Sequence, residues 1–270
     1  MSKIENALNK ALIIRGELAS TDMSPLLESS KSVMIVSGET ASSQDIACMI
    51  EPYVYERREL AHKPIIYPEM ADNPVLNSFR QLRTRLLQQS EDRNMVLMVT
   101  SVRSGSGGSF IALNLAVALS ANETKTALLM DCNLRNNGFA GLLYSKNELG
   151  LIDYLEQGMV GIEEIIQPSG IPRLRWIPAG RRRGIITEAF NSPKMRNLLQ
   201  SLKYRHDDRQ IIVDAPPITQ SADAEILIDF CDYVLLVVPY GKATESQILA
   251  AAMNISEEKL LGVVFNNAPR

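Results

Sequence analysis

The chain reads as an α/β domain, with a mostly parallel β-sheet covered by helices on both faces. Three observations predict it. Short apolar runs of strand length alternate with longer segments of helical spacing. Two of these runs end in a carboxylate, Asp131 and Asp214. Another ends in a glycine- and serine-rich turn that opens into an apolar helix. Strands are expected at 95–100, 126–131, 173–178, 210–214, 233–239 and 261–266. Helices are expected to fill the gaps, including 107–121, 193–204, 222–230 and 245–255.

The first run leads into Ser101-Val102-Arg103-Ser104-Gly105-Ser106-Gly107-Gly108-Ser109 and then Phe110-Ile111-Ala112-Leu113. Strand, glycine-rich turn and helix are the layout of a P-loop. Gly105, Gly107 and Gly108 let backbone N–H groups turn inward around a phosphate, at the positive end of a helix. Gly105 to Phe110 are therefore the candidate nucleotide-binding residues. The lysine that normally reaches the terminal phosphates should stand at 108, and the residue there is glycine. Taken alone, such a loop also reads as a plain strand-to-helix connection.

The two acids narrow the choice. Ala127-Leu128-Leu129-Met130-Asp131-Cys132-Asn133-Leu134-Arg135 is an apolar strand ending in an acid, a polar residue and an arginine. Gln210-Ile211-Ile212-Val213-Asp214-Ala215-Pro216-Pro217 repeats the pattern. One acid after an apolar run is often the cap of the next helix. Two of them beside a phosphate loop, at the carboxyl ends of parallel strands, are where magnesium or its water ligands are held.

The order of loop, strand-Asp-x-x-x-Arg and strand-Asp-x-Pro-Pro resembles the bacterial tyrosine kinases of polysaccharide synthesis and export, relatives of the P-loop partition ATPases. The likeness continues through Gly150-Leu151-Ile152-Asp153-Tyr154-Leu155, Ile177-Pro178-Ala179-Gly180, Ser192-Pro193-Lys194-Met195, Ser221-Ala222-Asp223-Ala224, Val234-Leu235-Leu236-Val237-Val238 and Gly262-Val263-Val264-Phe265-Asn266. It spans roughly residues 72 to 267. The resemblance implies a P-loop NTPase-like fold, ATP or ADP with Mg2+ as cofactors, and Ser109, Asp131 and Asp214 around the metal. Asn266 matches a family asparagine that can read an adenine edge, or serves as a loop cap. The implied partners are the cytoplasmic part of an inner-membrane polysaccharide co-polymerase, a sister kinase, or further copies in a homo- or hetero-oligomer. The implied location is the cytoplasm, held to the inner membrane through such a partner.

The departures from the family pattern carry as much information. Gly108 replaces its loop lysine, and Asn133 replaces the second Asp of its Asp-x-Asp-x-Arg signature, which helps prepare the substrate hydroxyl. The last tyrosine is Tyr240, whereas self-phosphorylating members end in a tyrosine-rich tail. The family's Glu-x-x-Arg-x-x-Arg helix packs subunits into a ring; here Asn77 stands for the glutamate while Arg80 and Arg83 remain. These losses point to a pseudokinase, non-catalytic or strongly impaired. The alternative is an active protein-tyrosine kinase or ATPase with weak turnover.

A net charge of −3 argues against a general nucleic-acid binder. Cys48, Cys132 and Cys231 have no metal or disulfide spacing, which fits a reducing compartment. No run is long enough to span a bilayer, and no signal-peptide profile opens the chain. Residues 1–71 are expected to form an N-terminal extension ahead of the kinase-like domain, 72–270. Ile4, Ala7, Leu8, Ala11, Leu12 and Leu18 recur at helical spacing, and Lys63-Pro64-Ile65-Ile66-Tyr67-Pro68 reads as an extended linker. Arg181-Arg182-Arg183 is read as a solvated basic loop or a surface for an anionic partner.

Overall fold

The strands of this chain are apolar at nearly every position because both faces of the sheet are buried. Along β1 (Val96–Ser101), Val96 and Met98 enter one core while Leu97 and Val99 enter the other. β2 (Thr126–Asp131) repeats the division, with Leu128 and Met130 against Ala127 and Leu129. This period of two follows from the pleat, which sends successive side chains to opposite faces.

The computed structural model describes residues 49, 51–70, 73–91, 93–134, 138–156, 158–181 and 186–268. The expected N-terminal helix, Cys48, Arg135, Arg182 and Arg183 lie outside the described residues. The remaining strands are β3 (Gln167–Pro168), β4 (Leu174–Ile177), β5 (Arg209–Asp214), β6 (Tyr233–Pro239) and β7 (Leu260–Asn266). The helices are α1 (Arg57–Ala61), α2 (Pro74–Gln89), α3 (Gly108–Ser120), α4 (Leu151–Glu156), α5 (Ile162–Ile165), α6 (Ile186–Phe190), α7 (Pro193–Tyr204), α8 (Ala222–Phe230) and α9 (Glu245–Met253). The sheet order is β3-β4-β2-β5-β1-β6-β7, parallel except for β3, which runs antiparallel to β4.

The expected strands are all present, and helices 193–204 and 222–230 have the expected ends. Their starts are set by Ser192 and Ser221, whose hydroxyls accept from Met195 N and Asp223 N. The helix expected over 245–255 stops at Met253, and Asn254 caps it. The two-residue β3 was not expected, since two residues carry no periodicity.

The stretch 63–68, read as a linker, packs into the domain. Ile65 and Ile66 are buried beneath α3 and α2, each worth about 1.5–3 kcal/mol of transfer free energy. Asn114 on α3 secures them: its Oδ1 accepts from Ile66 N at 2.7 Å, and its Nδ2 donates to Pro64 O at 3.0 Å. With both ends of the amide satisfied, a fully buried polar side chain on α3 costs little. Further upstream, Glu51 pairs with Arg175 on β4 at 2.6 Å, both largely buried.

Candidate nucleotide site

β1 sits between β5 and β6, so the loop after it emerges at the middle of the sheet's carboxyl edge. That loop, residues 102–107, is fixed from three sides. Thr219 Oγ1 donates to Val102 O at 2.6 Å, and Gln220 Oε1 accepts from Ser104 N at 3.3 Å. Ser101 and Ser106 hydroxyls both donate to Arg103 O, at 3.1 and 2.7 Å. From β7, Asn266 Nδ2 donates to Ser106 O at 2.9 Å.

Gly105 and Gly107 adopt left-handed backbone, with φ of 77° and 88°. Gly107 is the N-cap of α3, and a Cβ there would lie 2.1 Å from Asn266 Nδ2. Only glycine permits this turn against this neighbour. Gly108 differs: it is the first helical residue, and a Cβ would meet Ser101 Cβ and Oγ at 3.6 Å, an ordinary contact. Position 108 therefore has room for a side chain. Phe110 contributes its backbone only, because its ring turns away to meet Phe79 of α2 edge-on at 6.1 Å.

The two acids converge as their strand-end positions imply. Asp131 and Asp214 are register partners across β2 and β5, and each is 1% exposed. Both carboxylate oxygens of Asp214 lack a hydrogen-bond partner. Burial, and then the neighbouring Asp131 charge, push the Asp214 carboxyl well above the usual range. The Ser109 hydroxyl works in the opposite direction, without closing a well-aligned hydrogen bond to either oxygen.

Asn133 completes the group. Its backbone N donates to Asp131 Oδ1 at 3.2 Å, and its Nδ2 approaches Ser109 Oγ at 3.5 Å. Its Oδ1 is buried with no partner. The acceptor oxygens buried here without partners, two on Asp214 and one on Asn133, suit a cation. Among the described residues no group of three or more His, Cys, Asp and Glu side chains gathers. A pair of carboxylates with a hydroxyl suits magnesium, which takes one or two carboxylates and completes its shell with water and substrate phosphates. A magnesium ion held by Ser109, Asp131 and Asp214 would supply positive charge to offset that of a bound phosphate chain. The groups that could hold it are the Ser109 hydroxyl and the two acids, beside the backbone turn of 105–109.

Cys132 and Cys231 are buried thiols, raised by burial, and Cys132 packs in the core as a small filler. Arg103, in the loop itself, is exposed. Sequence reasoning missed Thr219 and Gln220, which no motif marks. On α2, Arg80 is exposed, whereas Arg83 Nη1 donates to Ala118 O at the end of α3, at 3.1 Å. Part of Arg83's donor capacity is thus used within the chain. Among the described residues no helix is long and apolar enough to cross a membrane.

No family model matches the chain. The tyrosine-protein kinase CpsD of Streptococcus agalactiae is 32% identical over 191 residues, covering 70% of this chain and 80% of that protein. The tyrosine-protein kinase YwqD of Bacillus subtilis is 33% identical over 202 residues, covering 73% and 84%. Among solved structures, the kinase domain of the Escherichia coli tyrosine kinase ETK superposes with a TM-score of 0.67 at 26% identity, over 81% of this chain and 88% of that one. The BceF tyrosine kinase domain gives 0.65 at 26%, over 85% and 90%. The chain belongs to the bacterial tyrosine-protein kinases, on the P-loop NTPase-like fold that its sheet order and loop display.

Proposed function

We propose that this protein is a nucleotide-binding kinase homologue with lost or strongly impaired turnover, a pseudokinase that regulates exopolysaccharide or capsule synthesis and export. One observation carries the reading: position 108 is glycine in a loop that otherwise keeps its cradle and its paired acids. A charge-assisted bond to phosphate contributes about 1.5–3 kcal/mol. Losing one preorganised transition-state donor costs roughly 10²–10³ in rate. The amide of Asn133 cannot take a proton where the family has a carboxylate, a further factor on the order of 10²–10⁴. Binding relies on the backbone N–H groups and on Asp131 and Asp214, which remain. The partners in this reading are the cytoplasmic part of an inner-membrane co-polymerase and an active sister kinase, which hold the protein at the membrane from the cytoplasmic side.

Calorimetric titration of the purified chain with ADP and ATP, with and without magnesium, tests it. The expected result is micromolar, magnesium-dependent binding that falls in Asp131→Ala and Asp214→Ala, with no ATP turnover above background. Convergence of Ser109, Asp131 and Asp214 favours a second reading, a weak ATPase or tyrosine kinase. Phosphate transfer that disappears in Asp214→Ala would select it over the first.

A further inference from the structure

Tyr53, Tyr55 and Tyr144 form a cluster away from the nucleotide site. Tyr53 stacks on Tyr144 with ring centroids 5.0 Å apart and meets Tyr55 edge-on at 5.2 Å. Tyr53 and Tyr55 lie on a strap, residues 51–56, that closes over the turn between β3 and β4. Its attachments are Tyr55 N to Gly170 O at 2.8 Å, and Glu51 to Arg175 Nη1 and Arg173 N at 2.6 and 3.1 Å. Gly170 has φ of 83°, and a Cβ there would lie 2.5 Å from the Tyr55 ring. The strap is therefore seated against a backbone shaped to receive it.

The hydroxyl of Tyr53 is the strap's tie to α1. It donates to Glu59 Oε1 at 2.6 Å, while Glu59 Oε2 accepts from Glu56 N at 2.8 Å at the start of that helix. Tyr53 remains partly open to solvent. The Glu59 and Glu56 carboxylates act on it, and Lys63, which acts on Glu59, lies 4.6 Å over the Tyr55 ring and donates to Gly141 O.

We infer that Tyr53 is a phosphorylation site and that phosphate there unseats the strap from α1. The donor is ATP held by an active protein-tyrosine kinase. The Tyr53 oxygen attacks the γ-phosphorus and the new O–P bond forms. The bond to the β,γ-bridging oxygen breaks, ADP leaves, and the phenolic proton passes to a carboxylate base of that kinase. The product carries a charge of about −1.5 to −2 and three acceptor oxygens where a donor stood. It cannot donate to Glu59, and it repels both Glu56 and Glu59. Lys63 is one cation against two carboxylates and is already engaged with Gly141 and Tyr55. The strap runs directly into α1, so the modification controls how residues 51–56 seat on the β3–β4 turn. This inference is independent of whether the chain itself turns over nucleotide.

The test uses the full chain with an active bacterial protein-tyrosine kinase, ATP and magnesium. Phosphopeptides are mapped by mass spectrometry, and trypsin cleavage at Arg57 and Arg58 within α1 is timed. The expected result is phosphate on Tyr53 and roughly tenfold faster cleavage, the equivalent of one charge-assisted hydrogen bond. Cleavage of Tyr53→Phe should not respond to the kinase. Glu59→Gln should accept phosphate with a smaller acceleration over its own unmodified form, a pattern that mere loosening of the strap does not produce. Phosphate absent from Tyr53, whether it appears on the 77%-exposed Tyr204 or nowhere, overturns the inference. So does phosphorylated Tyr53 with unchanged cleavage.

Discussion

Asn266 at the end of β7 donates its side-chain amide to the Ser106 carbonyl at 2.9 Å, binding the last strand of the sheet to the phosphate loop. The same amide nitrogen occupies the space a Cβ at Gly107 would need. Gly107→Ala should therefore destabilise the fold twice over, by a left-handed backbone cost of roughly 1–2 kcal/mol and by collision with Asn266. Asn266→Ala alone should cost about 1 kcal/mol through the lost hydrogen bond. In Gly107→Ala/Asn266→Ala the collision is gone, while the backbone cost and the lost hydrogen bond remain. Urea denaturation of the four proteins should show the double variant more stable than the sum of the singles. Strict additivity would mean that the two positions do not meet.

Asp214 predicts a pH dependence with a definite sign. Its folded-state proton affinity is raised, by burial first and by Asp131 second. Below the ordinary carboxylate range both folded and unfolded chains hold the proton, and its stabilising contribution is fully present. That contribution is lost as pH rises through the raised folded value. The melting temperature of the nucleotide-free protein should fall as pH rises above about 4. Asp214→Asn should flatten the fall, and Asp131→Asn should reduce it by removing the second cause. Magnesium with ADP should restore stability at the alkaline end, because a bound cation favours the charged form. A melting temperature equally steep in Asp214→Asn would assign the dependence to another group.

Glu51 makes a stability prediction for the strap. Its carboxylate serves Arg175 Nη1 and Arg173 N, with the Arg175 pair only 14% and 16% exposed. Arg173 has a φ of 60°, so the local backbone depends on its hydrogen bonds. Glu51→Ala should cost about 1–3 kcal/mol, since it leaves a largely buried charge and an amide without this partner. Hydrogen exchange should quicken at Arg173 and Leu174 and remain unchanged at the phosphate loop.

How much of this could be read beforehand varied with the range of the interaction. β2 and β6 have their expected ends because two-sided burial writes a strand as one continuous apolar run. The convergence of Asp131 and Asp214 was legible because parallel strands place their carboxyl ends at one edge. The contact of Asn266 with Ser106 was not, since it joins residues 160 apart and depends on β7 lying beside β6. Ile65 and Ile66, set between Pro64 and Pro68, read locally as an extended connection. Their burial is decided by Asn114, 48 residues beyond Ile66. The strap was invisible for the same reason, its partners lying on β4 and in the turn before it.

The exposed face of α2 offers a prediction about assembly. Asn77 and Arg80 are both exposed and lie one helical turn apart. Asn77 is uncharged, so it supplies no acid for an arginine of a second copy. Asn77→Glu should shift the sedimentation profile toward larger species, and Asn77→Glu/Arg80→Glu should return it to that of the parent. Raising salt from about 0.05 to 0.5 M should weaken any Asn77→Glu assembly, as screening requires of an exposed charge pair. An unchanged profile in Asn77→Glu would remove α2 as an assembly surface.

Position 108 allows the proposed loss of turnover to be tested by restoring what is missing. A Cβ there meets only Ser101 at 3.6 Å, so Gly108→Lys should fold with little change in stability. A lysine that reaches the terminal phosphates should tighten ATP binding by about tenfold or more, from a bond of roughly 1.5–3 kcal/mol. ADP should gain less, because it lacks the third phosphate. Asn133→Asp returns the proton acceptor beside Asp131 and Ser109 but adds a third carboxylate to a buried pair. On its own it should lower stability in the absence of magnesium, through like-charge repulsion. The double variant with magnesium should raise ATP turnover by on the order of 10² or more over the parent, with neither single change reproducing it, since groups acting as a unit are non-additive. Turnover still at background in a folded, ATP-binding Gly108→Lys/Asn133→Asp protein would place the defect elsewhere than at these two positions.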